Sequence, residues 1–564
     1  MANQVLSGIK LPAPDDFPVV WPQAEWDTFH WTRDYEHLPD PIMPLMFSAT
    51  GVMAIASRDR VAPLYEEAIA RRYDWRINHY LYMAVIPFQG MSDEVEARMK
   101  RNRERLLAIT LRLNEVWEKE WKPALEAHWD FWREFDLEGA DDAALAAHTE
   151  ESIQRGSHLY EIHFRMGAPM WFALDEFVTC YCDLFPEKSE LDAHRLLQGF
   201  DNKTLEIGRA LWRLSRLARA EEAVYQILLE RPAQEVAAAL HTFAEGRAFW
   251  QEVWAFLETY GHRANLWDWC RPTWYDDPTP VINSLKTCVV QPDRDLVAEQ
   301  AETVALREAA IADARAALIG YPAPVVARFE QLLKAAQIAL VLTENHAYYI
   351  DFNGFGWIHR IFHEWGGRFA RAGWLNRSDD VFYLTLDELR GMIADPQQDR
   401  RALVQQRRAE LAYWEQYEEP RELGVRPAEP IYLYSPEARR TLRYLGGHIA
   451  ESRPAAGNER VLRGQAASSG KVRGRARIIR TLAEAHRLEK GDILVTITTA
   501  PPWTPLFLTA AGVVTDAGGL LSHGAVLSRE YRLPAVVGTR FATEQIQDGQ
   551  LIEVDGDQGI VTLL

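Results

Sequence analysis

The stretch Thr515-Asp516-Ala517-Gly518-Gly519-Leu520-Leu521-Ser522-His523-Gly524-Ala525 decides how the chain is read. It has the pattern of a strand end, a glycine turn and the start of a helix that runs to Glu530. Adjacent glycines let backbone come close to a ligand, and the unsatisfied N–H groups that open a helix favour a phosphate. His523 would stand at that opening, where a neutral imidazole has one ring nitrogen free to attack a phosphoryl group. Thr515, Gly518, Gly519 and Ser522 are then the candidate phosphate-binding positions. On these residues alone, a loop histidine hydrogen-bonded at a helix cap is an equally good reading.

Working outward, short β-branched runs at 491–499, 512–515, 534–538, 551–555 and 559–563 surround this turn and predict a compact domain with a β core over 461–564. Before it, 424–460 holds Pro427, Pro430, Pro436, Gly446, Gly447, Pro454 and Gly457, the composition of a hinge or linker, with a short helix expected at 436–445. Residues 1–423 form the remaining unit. Its first 60 residues, rich in proline and aromatics, read as an extended segment. Helical periodicity then dominates, with stretches near 141–166, 190–230, 233–259, 296–319 and 322–350. Pro123 is expected to kink or end the helix that precedes it. The expected fold class is multidomain α plus α/β: a large, mostly helical substrate-binding body followed by a small β/β/α domain.

Composition supports the same border. The chain has 564 residues and a net charge of −19, and 19 of its 20 tryptophans precede residue 461. Residues 461–564 carry 11 Lys+Arg against 10 Asp+Glu, so the acidic excess belongs to the body. Such a balance argues against a nucleic-acid or anionic-membrane partner. Cys180, Cys182, Cys270 and Cys288 lack metal-ligand pair spacing, and no run has the length of an apolar membrane span, which points to a cytoplasmic protein.

The C-terminal unit resembles the swivelling phosphohistidine domain of phosphoenolpyruvate (PEP)-utilising enzymes, the family of PEP synthase, pyruvate phosphate dikinase and rifampicin phosphotransferase. The resemblance rests on Ala467-Ser468-Ser469-Gly470, Val472-Arg473-Gly474-Arg475-Ala476, the Thr-Asp-x-Gly-Gly-x-x-Ser-His block, Ser528-Arg529-Glu530 and Leu533-Pro534-Ala535-Val536-Val537-Gly538. It implies that His523 carries a phosphoryl group between distant sites. Gly524 and Ser528 stand where dikinases commonly have alanine. In the body, Trp31-Thr32-Arg33, Leu38 to Leu45, Tyr260-Gly261-His262-Arg263, Arg271-Pro272-Thr273-Trp274, Glu344-Asn345-His346 and Asp379 to Leu384 are similar to successive landmarks of the rifampicin phosphotransferase substrate domain.

No glycine-rich ATP-grasp region is visible ahead of the body, and no PEP-binding barrel after the small domain. That arrangement resembles the larger subunit of phenylphosphate synthase and related two-component aryl phosphotransferases. It implies a separate ATP-grasp subunit holding ATP and Mg²⁺, phosphorylation of His523, and transfer to a phenolic hydroxyl with AMP and inorganic phosphate as by-products. An ionising phenol and a transferring phosphoryl group need a base and cations. His262 and Arg263 are the catalytic candidates, with Arg271, His346, Tyr349, Arg360 and His363 as substrate-binding candidates. His359, His363 and Glu364 have a spacing suggestive of zinc, but Gly354, Gly356, Gly366 and Gly367 are expected to interrupt the helix, so no metal is assigned. The alternatives are transfer to another alcohol or an antibiotic, and a non-catalytic phosphocarrier or regulatory module.

Overall fold

A computed structural model describes residues 8–35, 37–66, 69–87, 92–264, 267–395, 397–427 and 460–564. Most of the expected linker, including the helix anticipated at 436–445, lies outside the described residues. Its first residues, 424–427, are instead part of a strand.

The body is mostly helical, as the sequence suggests, and it also holds a sheet that the sequence reading does not anticipate. Strands β1 (Gly8–Leu11), β2 (His30–Arg33), β3 (Ile69–Ile77), β4 (Tyr80–Pro87) and β5 (Glu422–Pro427) form an antiparallel sheet in the order β1-β5-β2-β4-β3. Trp31 lies opposite Ala84 on one side and Leu423 on the other, so the two ends of the body are stitched together. The β3–β4 hairpin turns on Asn78 and His79, both at positive φ (48° and 71°), the conformation that a two-residue hairpin loop requires. Tyr80, Tyr82 and Ala84 alternate inward onto Phe17, Trp26 and Trp31. The first 60 residues are therefore not simply extended: they also contribute most of the helical segments that run from Pro44 to Tyr65.

The longest helix, α1 (Asp142–Leu184, 43 residues), spans about 65 Å and outruns the expected 141–166. Pro169 lies inside it without ending it. The proline removes the hydrogen bond to the Arg165 carbonyl, and Tyr65 Oη donates to that carbonyl instead, at 2.5 Å. Pro123 likewise does not end its helix; it sits in the first turn of Lys122–Arg133, just after a π-helical turn at Trp117–Trp121.

Further helices include α2 (Lys203–Ala220), α3 (Ala323–His346) and α4 (Asn353–Arg371). Between α3 and α4 the chain makes a π-helical turn, Ala347–Phe352, and the three segments form one continuous rod. The four glycines expected to interrupt α4 lie within it. A Cβ at Gly356 would come within 1.9 Å of the His262 carbonyl oxygen, and one at Gly366 within 1.9 Å of the Ser378 carbonyl oxygen, so these two glycines allow close backbone approach.

The small domain has an eight-stranded sheet formed by β6 (Val461–Arg463), β7 (Gln465–Ser468), β8 (Lys471–Ile478), β9 (Ile493–Thr496), β10 (Gly512–Thr515), β11 (Ala535–Val537), β12 (Leu551–Asp555) and β13 (Ile560–Leu563). The order is β6-β13-β12-β8-β9-β10-β11-β7, with β8 to β11 parallel. Helix α5 (His523–Glu530) connects β10 to β11, so the 516–522 loop lies at the carboxyl ends of parallel strands, the usual ligand edge of such a sheet.

This domain is docked on the body. Leu520, Leu521 and Val526 join the body's main core, while Leu205, Ala347 and Phe352 of the body join the cluster around Trp503 and Phe507. Arg532 pairs with Glu302 at 2.7 Å, Arg421 pairs with Glu544, and Arg294 donates to the Leu508 carbonyl. Among the described residues no helix is long and apolar enough to cross a membrane.

Candidate functional site

His523 opens α5 directly after Ser522, whose side-chain oxygen accepts from Ala525 N as the N-cap. Gly518 adopts φ +105°, and a Cβ there would meet Ser522 Oγ at 2.8 Å, so the turn needs glycine. Thr515 Oγ1 donates to the Ala517 carbonyl at 2.7 Å, and Gly519 accepts from Ser522 N at 3.0 Å. These four expected phosphate-binding residues thus shape the loop that presents the histidine. Thr499, which the sequence did not single out, brings a buried hydroxyl without a hydrogen-bond partner to the same helix start. A Cβ at Gly524 would lie 2.9 Å from Thr499 Oγ1, which explains why glycine replaces alanine there.

The imidazole is buried against the body. His523 Nδ1 is 3.2 Å from Glu344 Oε2, and Thr204 Oγ1 donates to the same oxygen at 2.6 Å. Burial pushes the Glu344 carboxyl up, but neighbouring His523 and the Thr204 hydroxyl outweigh it and hold the group below the ordinary glutamate range. An ionised Glu344 accepts from Nδ1–H, which fixes the tautomer and leaves a lone pair on Nε2. That nitrogen is buried and has no hydrogen-bond partner. Phe507 closes one side of the ring, edge-on at 5.8 Å between centroids.

Arg263 lies within electrostatic reach of Glu344 and is also fully buried, with Nε and Nη1 lacking hydrogen-bond partners. Burial pushes its guanidinium down to about 10, which leaves it cationic at neutral pH. It packs over the rings of Phe352, Trp274 and Tyr348, at 5.1, 5.3 and 5.8 Å. A buried cation with unused donors can receive the charge of an anionic group.

The other sequence candidates are dispersed. His262 stacks on Trp357 at 4.5 Å, and burial together with Arg360 pushes it down to about 4, so it is neutral. Arg360 packs over Tyr275 and Trp357. Arg271 bonds the Pro41 carbonyl at 2.9 Å and Glu415 at 3.3 Å, tying the N-terminal segment to the body. Tyr349 stacks on Trp129 at 4.9 Å. His363 meets Asp379 at 3.1 Å, whereas His359 meets the Trp269 carbonyl at 2.8 Å and Asp276 at 3.1 Å; the two imidazoles of the zinc-like spacing therefore face different carboxylates. His346 lies with His163 and Asp351. Glu344 and Thr204 are the principal residues whose roles the sequence did not reveal. A sequence signal for Glu344 did exist, as part of the Glu344-Asn345-His346 landmark.

A βαβ unit that presents a helix-opening histidine to a buried carboxylate of a second domain defines the class: a two-domain protein built around an interdomain histidine. Comparison with known proteins narrows it. Residues 173–344 match the rifampicin phosphotransferase fourth domain, and residues 488–559 match the mobile domain of PEP-utilising enzymes. These two matches are domains that the chain shares with PEP-utilising phosphotransferases, and the chain spans half or less of the length of each of the curated relatives described here. It is 37% identical to chondramide synthase cmdD of Chondromyces crocatus over 98% of its own length, but spans 14% of that protein. It is 42% identical to the rifampicin phosphotransferase of Streptomyces sviceus over 35% of its length, which is 20% of that enzyme. The prodigiosin synthesizing transferase PigC of Serratia marcescens is 30% identical over 70% of the chain and 42% of the relative.

Proposed function

We propose that the chain is the carrier-and-acceptor part of an ATP-dependent dikinase-type phosphotransferase. It takes a phosphoryl group onto His523 Nε2 and passes it to the hydroxyl of a phenolic or other aromatic acceptor. ATP and Mg²⁺ are held by an ATP-grasp unit, on a separate subunit or elsewhere in a longer polypeptide. That unit supplies the first stage, in which Nε2 attacks the β-phosphorus of ATP and the bond between Pβ and the α-phosphate oxygen breaks to release AMP. Water then cleaves the pyrophosphoryl group on the histidine to release inorganic phosphate. In the second stage the acceptor oxygen attacks, the P–N bond breaks and the hydroxyl proton leaves. The net reaction consumes ATP, water and the acceptor and releases the aryl phosphate, AMP and inorganic phosphate.

The observation that carries this reading is the Glu344–His523 pair, with Nε2 left free and the buried Arg263, two of whose donors lack partners, within electrostatic reach of the same Glu344. Ionised Glu344 steadies the imidazole as charge changes on it, and Arg263 offsets charge on the moving phosphoryl group. The aromatic rings around Arg263 favour a flat acceptor. The cleft lined by His262, Trp269, Asp351 and Phe352 is too narrow for a water molecule in this arrangement, so an acceptor entering there needs these side chains to move. The likeness to rifampicin phosphotransferase supports a second acceptor class, the hydroxyl of an antibiotic.

The test needs no partner, because phosphoramidate phosphorylates histidine directly. The treated chain is expected to show one acid-labile phosphohistidine by ³¹P NMR, absent in His523→Ala, and to pass the phosphate to a phenol. Phosphorylation elsewhere overturns the reading. A stable phosphohistidine that no phenol or antibiotic alcohol discharges leaves a carrier without an acceptor site and overturns the enzymatic part.

A further inference from the structure

Three side chains without an assigned part in the transfer steps converge where the long rod widens. His163 comes from α1, His346 from the last turn of α3 and Asp351 from the π-helical turn, and one ligand atom from each lies within 4.8 Å of the others. Asp351 Oδ1 is 3.3 Å from His163 Nδ1, and Oδ2 is 3.7 Å from His346 Nε2. Asp351 Oδ2 and His163 Nδ1 are nevertheless buried with no hydrogen-bond partner, and the Asp351 side chain is only 9% exposed.

The hydrogen bonding at His346 sets two acceptors face to face, an arrangement that a cation relieves. The Nδ1–H of His346 donates to the Leu342 carbonyl at 3.0 Å, so Nε2 faces the carboxylate with a lone pair. A ring N–H anchored on a backbone carbonyl, with the other nitrogen free, is the usual arrangement behind a metal-bound histidine. Ligands at 2.0–2.2 Å from a tetrahedral ion stand roughly 3.4 Å apart, close to the two separations seen here.

The π-helical turn is what permits the pairing. Residues five apart on a regular α-helix point about 140° away from each other. The wider turn at Ala347–Phe352 brings His346 and Asp351 round to one side.

We propose that His163, His346 and Asp351 bind one divalent transition-metal ion and leave at least one coordination position open. Two imidazoles and a carboxylate suit zinc, cobalt, iron or nickel rather than magnesium or calcium, so this ion is distinct from the Mg²⁺ that accompanies ATP. His346 is two residues beyond Glu344, which places the ion on the same stretch of α3 as the residue that holds His523.

The test uses the full, untagged chain, stripped with a chelator and titrated with Co²⁺ without any phosphoryl donor or acceptor, so its outcome is independent of the phosphotransfer reading. One Co²⁺ per chain is expected, with visible d–d absorption and displacement by Zn²⁺. The near-isosteric Asp351→Asn and His163→Ala should each weaken binding by about 100-fold or more, exceeding what even outer-shell partners of a metal contribute. His363→Ala should leave it intact, and circular dichroism confirms that each variant is folded. The proposal is overturned if the folded wild-type chain binds no stoichiometric Co²⁺, if Asp351→Asn and His163→Ala bind it equally well, or if His363→Ala abolishes binding.

Discussion

At the scale of single residues, His523 was legible because its surroundings are local: the strand, the glycine turn and the helix start are contiguous in sequence. Glu344 was marked only as part of the Glu344-Asn345-His346 landmark, and its pairing with His523 was not legible, because 179 residues separate the two. This division of labour makes a specific prediction. Glu344→Gln retains shape but accepts less strongly from Nδ1–H, so transfer from phosphohistidine to acceptor should slow by roughly 10²–10⁴-fold while chemical phosphorylation of His523 persists. Single-turnover discharge of the phosphorylated chain measures it, and a wild-type rate would remove Glu344 from the mechanism. Glu530 gives a pH dependence. Burial raises its carboxyl to about 7, against the opposing pull of the Gly199 N–H, Arg529 and Arg307. Because Gly199 belongs to the body, lifting the domain rehydrates Glu530 and returns it toward its ordinary range near 4.5. The docked state then binds the proton more tightly, so docking is strongest below about 4.5 and weakens as pH rises through about 7. Glu530→Gln should flatten that profile, as followed by small-angle scattering between pH 5 and 8.

At the scale of elements, the parallel strands β9, β10 and β11 appeared in the sequence nearly at their true positions because fully buried strands are continuous β-branched runs, whereas β8, with exposed Lys471, Arg473 and Arg475 along it, did not. The body's sheet was missed, although the alternation in Tyr73, Trp75 and Ile77, then Tyr80 and Tyr82, carries a period of two. Its strands are scattered from residue 8 to residue 427, and helical segments on either side masked the hairpin. Helix breaks were misjudged for a related reason: proline and glycine are local signals, whereas what compensates them is tertiary. Pro169 shows this, since the carbonyl it strands is satisfied by Tyr65 from another helix. Tyr65→Phe should therefore cost about 1–3 kcal/mol, the penalty of an unsatisfied buried acceptor. Adding Pro169→Ala restores an N–H for Arg165 and should recover part of the loss. Urea denaturation of the two single variants and the double variant closes the cycle, and simple additivity would show that the hydroxyl does not substitute for the missing helix bond.

At the scale of the whole molecule, the sequence marked two kinds of domain by tryptophan and charge, but the way they meet depends on surfaces that no single segment encodes. The docked arrangement buries His523 against Glu344, so the nucleophile that must meet a phosphoryl donor is inaccessible to one. Both half-reactions require different placements of the small domain, and a change confined to the body can test this by blocking one of them. Gly208 of α2 is such a place: a Cβ there would stand 2.9 Å from Tyr531 Oη and 3.5 Å from Thr504 Cγ2, both on the small domain. Gly208→Leu replaces a poor helix former by a good one, which favours α2 itself by up to about 1 kcal/mol. Its side chain, however, occupies the space into which Tyr531 settles. The variant should keep the melting temperature of the body, show a larger radius of gyration, accept phosphate on His523 at the normal rate or faster, and lose transfer to the acceptor. If Gly208→Leu discharges its phosphohistidine to the acceptor as fast as the wild type, the docked state is not the transferring one, and acceptor and carrier must meet in another arrangement.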